Sequence, residues 1–312
     1  MLTKISSPSD SQELTYTARA GLKSKVFLPN VIGPSFSVFR SGLAACAGAT
    51  LLFTPGDKLV PPRFIGEVPN PVFEGINKLS LFFILSDHPE AARVIGLILC
   101  LASILGASSI GVAWIFYSLH NTAITPDGGD QIGLIASIFC LTLGLARWII
   151  KQFPTRRLGY LLAFYSFLLF KVQVAFVYAN AAIAKIRVDN WANGTEVYYD
   201  LISPFFGLTG LRQILFAPIL ASPAFITFLT WGTIAVELYI AAATFASDKW
   251  KSTAILAAVF LHGGIALFMG ITSFSLTMLT VVIFALLPMK IVGRKLSGIH
   301  DWFKLSIKSI WI

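Results

Sequence analysis

Apolar runs long enough to cross a bilayer, about 17 to 25 residues, occur near 36–54, 131–150, 158–186, 222–247, 253–271 and 273–289. A longer run, 91–120, follows the first of these, with Gly106-Ala-Ser-Ser-Ile-Gly111 at its middle. Small flexible residues at that point permit a turn, so the pattern predicts two short membrane helices there rather than one long tilted one. The Pro-rich stretch 61–72 reads as a loop. Residues 73–87 are too short and too punctuated to span, which predicts an interfacial helix on the outer face. The predicted fold is all-α: a polytopic helical bundle of about eight membrane segments, including the broken hairpin near 91–120.

The distribution of charge tests this count, because cytoplasmic loops carry the excess of Lys and Arg. Lys4, Arg19, Lys23 and Lys25 lie in the amino-terminal tail, and Arg147, Lys151, Arg156 and Arg157 surround the 147–157 loop. Lys290, Arg294, Lys295, Lys304 and Lys308 lie at the carboxy-terminal end. All three regions are expected inside. The 121–130 loop, with Asp127 and Asp130 and no basic residue, and the mixed 55–90 segment are expected outside. Only two crossings within 91–120 keep those assignments consistent, and they put both termini in the cytoplasm. The expected organisation is a polar tail at 1–30, a transmembrane domain at 31–290 and a basic tail at 291–312.

Composition agrees. Hydrophobic residues make up 56% of the 312 and charged residues 12%, far more apolar surface than one soluble core hides. Cys46, Cys100 and Cys140 sit in apolar stretches without CxxC or Cys/His spacing, which supports neither a disulfide framework nor a metal site. The first 35 residues show no apolar core followed by a cleavage site, so the first membrane helix is expected to direct insertion. The net charge of +9 fits basic loops against anionic lipid headgroups. Nucleic acid is not expected as a partner, since no aromatic-basic module accompanies the charge.

Ionisable side chains inside membrane segments are expensive and mark candidate sites. Lys171, Tyr178 and Lys185 are spaced by seven, which places them near one helix face. Lys171 reads either as a site residue or as a lysine paired with a carboxylate, and Lys185 either as a base or nucleophile or as a snorkelling lysine. Glu237 lies well inside the 222–247 span and needs a partner, for which Lys171, Lys185 and His262 are the candidates. His262 is the histidine deepest in a span, and Gly263 and Gly264 after it permit close helix approach. After Lys185 comes a polar, aromatic-rich loop with Trp191, Asn193, Tyr198 and Tyr199, expected to bind substrate. Asp127, Asp130 and Gln131 form a second candidate binding element, with helix capping by Asp130 as its plain alternative. The chain has no Gly-rich phosphate loop, GxSxG elbow or HExxH, which disfavours ordinary ATPase, serine hydrolase and metalloprotease chemistry.

Several of these segments together resemble a known family. Phe36-Ser-Val-Phe-Arg-Ser-Gly-Leu-Ala, Thr50-Leu-Leu-Phe, Leu79-Ser-Leu-Phe-Phe-Ile-Leu-Ser, Pro126-Asp-Gly-Gly-Asp-Gln and Lys185 with Trp191-Ala-Asn-Gly-Thr-Glu-Val-Tyr-Tyr look like the sporulation-delaying protein B family. That family belongs to the horizontally transferred transmembrane domain group, with the vitamin K-dependent gamma-glutamyl carboxylases as relatives. The resemblance implies a multi-pass protein of the bacterial plasma membrane. It implies a role in maturation or export of a secreted antimicrobial peptide toxin, acting on the precursor with a small partner protein. Lys185 matches the lysine that serves the carboxylases as base, although it stands one residue further from the tryptophan here. Glu237 and His262 resemble recurrent positions of the wider domain. Three readings are open at this point: a catalytic maturation factor using Lys185, Glu237 and His262, a non-enzymatic channel or chaperone for the precursor, and a quinone- or lipid-dependent carboxylase-like enzyme. No cofactor is assigned.

Overall fold

Prolines and serines mark where the helices start. In the computed structural model, which describes residues 32–106, 108–123, 128–153 and 157–286, the chain forms α1 (Pro34–Phe53), a single-turn α2 (Leu81–Ile84), α3 (Pro89–Ile104), α4 (Ser109–Thr122), α5 (Gly128–Gln152), α6 (Arg157–Ile186), α7 (Asp189–Ala192), α8 (Glu196–Ile202), α9 (Leu211–Leu220), α10 (Pro223–Ala243), α11 (Asp248–Gly264) and α12 (Thr272–Leu286). Helices α1, α3 and α10 each begin at a proline, whose missing N–H would have had no helical acceptor there. Ser108 and Ser222 cap α4 and α10 by accepting from backbone N–H groups of the first turn. Among the described residues the strands are confined to a two-residue antiparallel pair, β1 (Phe64–Ile65) and β2 (Val68–Pro69). The tails at 1–30 and 291–312 and the loop residue Asp127 lie outside the described residues.

Five segments are long and apolar enough to cross a membrane: Pro34–Phe53, Gly128–Gln152, Arg157–Ile186, Pro223–Ala243 and Asp248–Met269. They coincide with five of the six long runs read from the sequence. Large side chains face outward from them, among them Phe176, Phe228 and Phe260, an apolar belt suited to lipid rather than water. The run 91–120 is indeed broken. Helices α3 and α4, of 16 and 14 residues, are about 24 and 21 Å long at 1.5 Å per residue, and they pack against each other. Gly106 makes the turn between them with φ +106, backbone that a side chain would strain. Arg40 of α1 holds this turn: its Nε donates to the Ser103 carbonyl at 3.0 Å, while Ser41 donates to the Ile104 carbonyl at 3.1 Å.

Residues 73–87 are not one interfacial helix. They form a 3-10 turn at Gly75–Leu79 followed by α2, because Gly75 takes φ +56 and α4 captures the backbone beyond it. Trp114 Nε1 donates to the Leu79 carbonyl at 2.8 Å, the Ser118 hydroxyl accepts from Leu81 N at 3.0 Å, and Ser80 and Thr122 share a hydrogen bond of 2.6 Å. The segment 73–87 is thereby pinned to the bundle by side chains of one helix.

The interior is apolar and aromatic. Phe39 of α1 stacks on Phe284 of α12 with centroids 4.1 Å apart, and Phe170 of α6 meets both rings. Close helix approach depends on small residues: a Cβ on Gly133 of α5 would fall 2.0 Å from the Phe116 ring of α4. Helix α6 packs between α5 and α10, and α11 closes the bundle against α10 and α12.

Candidate functional site

Helix α6 ends at Ile186 and passes its last lysine to the loop elements above it. Lys185 Nζ lies 2.7 Å from Glu237 Oε1 of α10, and the Trp191 ring of α7 covers the same ammonium at 5.2 Å. Of the three candidate partners for Glu237, the fold selects Lys185. Two helical turns deeper on the same face, the Tyr178 hydroxyl lies 2.7 Å from His262 Nε2. Tyr178 and His262 are each 2% exposed, and Phe274 of α12 packs edge-on against the imidazole at 5.8 Å. Both pairs are anchored on one face of α6, by Lys185 and by Tyr178 seven residues before it.

The loop above is built around this end. Trp191-Ala-Asn-Gly-Thr closes α7: Gly194 takes φ +78, and its N–H donates to the Trp191 carbonyl at 3.2 Å while Thr195 N donates to that of Asn190 at 2.8 Å. Any side chain at Gly194 would also run into Thr227 of α10. Helix α8 docks on α10, where the buried Thr230 hydroxyl accepts from Val197 N at 3.3 Å. Trp231 Nε1 donates to the Ala192 carbonyl at 3.3 Å. A small apolar cluster of Leu201, Leu208 and Ile226, with Phe216 of α9 against Phe268, completes the cap. Phe268 belongs to a π-helical turn, Ile265–Met269, that continues α11 beyond His262, a distortion common at functional sites.

The remaining sequence candidates are distributed around this cluster. Lys171 faces the same way as Lys185 but lies 14 residues earlier, about 21 Å along the helix. Its ammonium sits over the Phe167 and Phe245 rings at 6.0 and 5.4 Å, and among the described residues it makes no ion pair. Asn193, Tyr198 and Tyr199 are exposed on the cap, with the two tyrosine rings 5.5 Å apart. Helix α5 begins at Gly128, so Asp130 is a buried first-turn residue rather than the cap itself, and Gln131 is exposed. This helix start is one ring away from the cluster, because Gly128 lies against Phe274.

Asp200 was not singled out from the sequence. It lies on α8, where burial pushes its carboxyl up to about 6, the neighbouring Glu196 adds to the shift and Lys185 opposes it. Its place one helical turn after Glu196 was the available signal. Among the described residues no group of three or more His, Cys, Asp or Glu side chains gathers as a metal site would require.

Fold and site together define a helical membrane protein with a charged, hydrogen-bonded cluster set into one end of its bundle. In sequence the chain is similar to two proteins of Bacillus subtilis (strain 168). It is 34% identical over 181 residues to the uncharacterized protein YitO, a match covering 56% of this chain and 58% of the relative. It is 31% identical over 183 residues to the sporulation-delaying protein SdpB, covering 57% and 56% respectively. The chain thus spans little more than half the length of the curated relatives it matches. No protein-family model and no solved structure matches it.

Proposed function

We propose that this chain is an integral membrane factor in the production of a secreted antimicrobial peptide, acting on the precursor at the Lys185, Glu237, Tyr178 and His262 cluster. The similarity to a sporulation-delaying protein supports the process. The observation that carries the site is the Lys185–Glu237 pair at 2.7 Å beside the Tyr178–His262 hydrogen bond. In this reading the protein lies in the bacterial plasma membrane with both termini cytoplasmic, the cap faces outward, and a small partner protein assists.

The chemistry open to Lys185 follows from its contacts. An ammonium paired with a carboxylate is neither a base nor a nucleophile. Passing one proton across the 2.7 Å contact to Glu237 gives a neutral amine beside a carboxylic acid, and the amine can then take a proton from, or attack, a bound precursor. His262, held by Tyr178, is the polar group of the interior next to the pair.

The test is replacement of the native gene by Lys185→Ala, Lys185→Arg and His262→Ala versions, with membrane levels checked by immunoblot. Mass spectrometry of the secreted peptide and growth-inhibition zones are then measured. Lys185→Ala and His262→Ala are expected to abolish active peptide even after correction for the membrane level of each variant. Release of normally processed, active peptide from both strains would sink the catalytic reading and leave a channel or chaperone role.

A further inference from the structure

Among the described residues, two polar atoms of the cluster are left without partners. Glu237 Oε2 and His262 Nδ1 are shut off from solvent and make no hydrogen bond there, in residues only 7% and 2% exposed. A buried polar group left unpaired is costly, because it has given up water without gaining a partner. Here two occur on α10 and α11, which pack against each other.

Their chemistry is complementary. Glu237, engaged with Lys185 through Oε1, offers Oε2 as an acceptor. The tautomer of His262 follows from its neighbour. The Tyr178 phenol carries one proton, and its oxygen is bonded to Nε2. If the imidazole donated instead, the phenol proton would be stranded in the interior. Tyr178 therefore donates, Nε2 accepts, and the hydrogen of the neutral ring sits on Nδ1. One open atom accepts and the other donates.

Lys185 and Glu237 already balance each other, so a charged guest would be uncompensated in this apolar setting. The fitting ligand is neutral and carries both an acceptor and a donor. We propose that these two atoms bind a secondary amide of a peptide backbone, its carbonyl accepting from His262 Nδ1–H and its N–H donating to Glu237 Oε2. This rests on the reading that the chain acts on a peptide precursor, and it names the group of that precursor which the site grips. It also makes Glu237 bifunctional: one oxygen holds Lys185 and the other holds the substrate, which brings the lysine beside the bound peptide unit.

The experiment uses the full chain in lipid nanodiscs with histidine ring nitrogens labelled with 15N. The chain has four histidines, and the His262 signals are assigned by their loss in His262→Gln. The probes are N-methylhexanamide, N,N-dimethylhexanamide and methyl hexanoate, alike in their apolar tail, of which only the first has an N–H. The expected result is an Nδ1-protonated ring whose signal shifts saturably with N-methylhexanamide, the other two probes binding at least about tenfold more weakly because a hydrogen bond to a charged acceptor is lost. An Nε2-protonated ring, no response to N-methylhexanamide, or equal responses to all three would overturn the proposal and leave the two atoms to water. Saturable, N–H-dependent binding together with normal peptide output from Lys185→Ala would keep the amide site and remove the maturation role.

Discussion

Removing either member of the Lys185–Glu237 pair should cost stability unequally. The side chains are 22% and 10% exposed, so the pair is neither a surface ion pair nor fully sealed. At 2.7 Å the direct attraction is about 6 kcal/mol with an effective dielectric of about 20, and desolvation offsets much of it. Lys185→Ala leaves Glu237 charged, buried and unpaired at both oxygens, and is expected to cost about 3–4 kcal/mol. Glu237→Ala leaves Lys185 with the Trp191 face and partial access to water, and is expected to cost about 1–2 kcal/mol. The double variant should fall short of the summed single losses by about 2 kcal/mol, the coupling of two groups in contact. Unfolding by SDS titration in mixed micelles, followed by far-UV circular dichroism, measures all four corners of the cycle. A coupling below about 0.5 kcal/mol would mean that the pair behaves as an exposed one. A larger loss for Glu237→Ala than for Lys185→Ala would mean that desolvation of the carboxylate has been misjudged.

Two further outcomes are expected. Gly133→Ala should destabilise the bundle by about 1–3 kcal/mol through overpacking against Phe116, and Phe116→Leu in that background should restore part of the loss in the same unfolding assay. Burial pushes the Asp200 carboxyl up to about 6 from its ordinary 3.8, so the folded state binds its proton more tightly. Stability from this group is therefore fully present below about 4, is lost as pH rises from there through about 6, and changes no further above that. Melting curves between pH 4.5 and about 8 should show a stabilisation on acidification that Asp200→Asn lacks, with the variant the more stable of the two at neutral pH.

Much of the bundle was legible because a membrane helix announces itself by length and apolarity. Gly106 and its small neighbours also marked the hairpin break correctly. The segment 73–87 was harder, since its fate depends on Trp114 and Ser118 of α4 capturing its backbone, contacts between residues some 35 positions apart. The seven-residue spacing placed Lys171, Tyr178 and Lys185 on one face, but spacing fixes an angle and not a depth. Lys171 consequently shares the face without sharing the site. The partner of Glu237 stayed ambiguous among three residues until the antiparallel packing of α6 and α10 set their levels. Asp200 became visible only once Thr230 had docked α8 on α10, because its burial is a tertiary property.

A π-helical turn, Ile265–Met269, follows His262 in the rod that α11 begins. An α-helix turns by about 100° per residue, so each residue absorbed in a wider turn rotates everything beyond it relative to what precedes it. Before the turn, α11 aims His262 at the bundle interior; within it, Phe268 reaches the cap and meets Phe216. One continuous rod thus serves two differently oriented walls, and the length of Ile265–Met269 sets the angle between them as a key's cut sets its fit, independently of the side chains it carries.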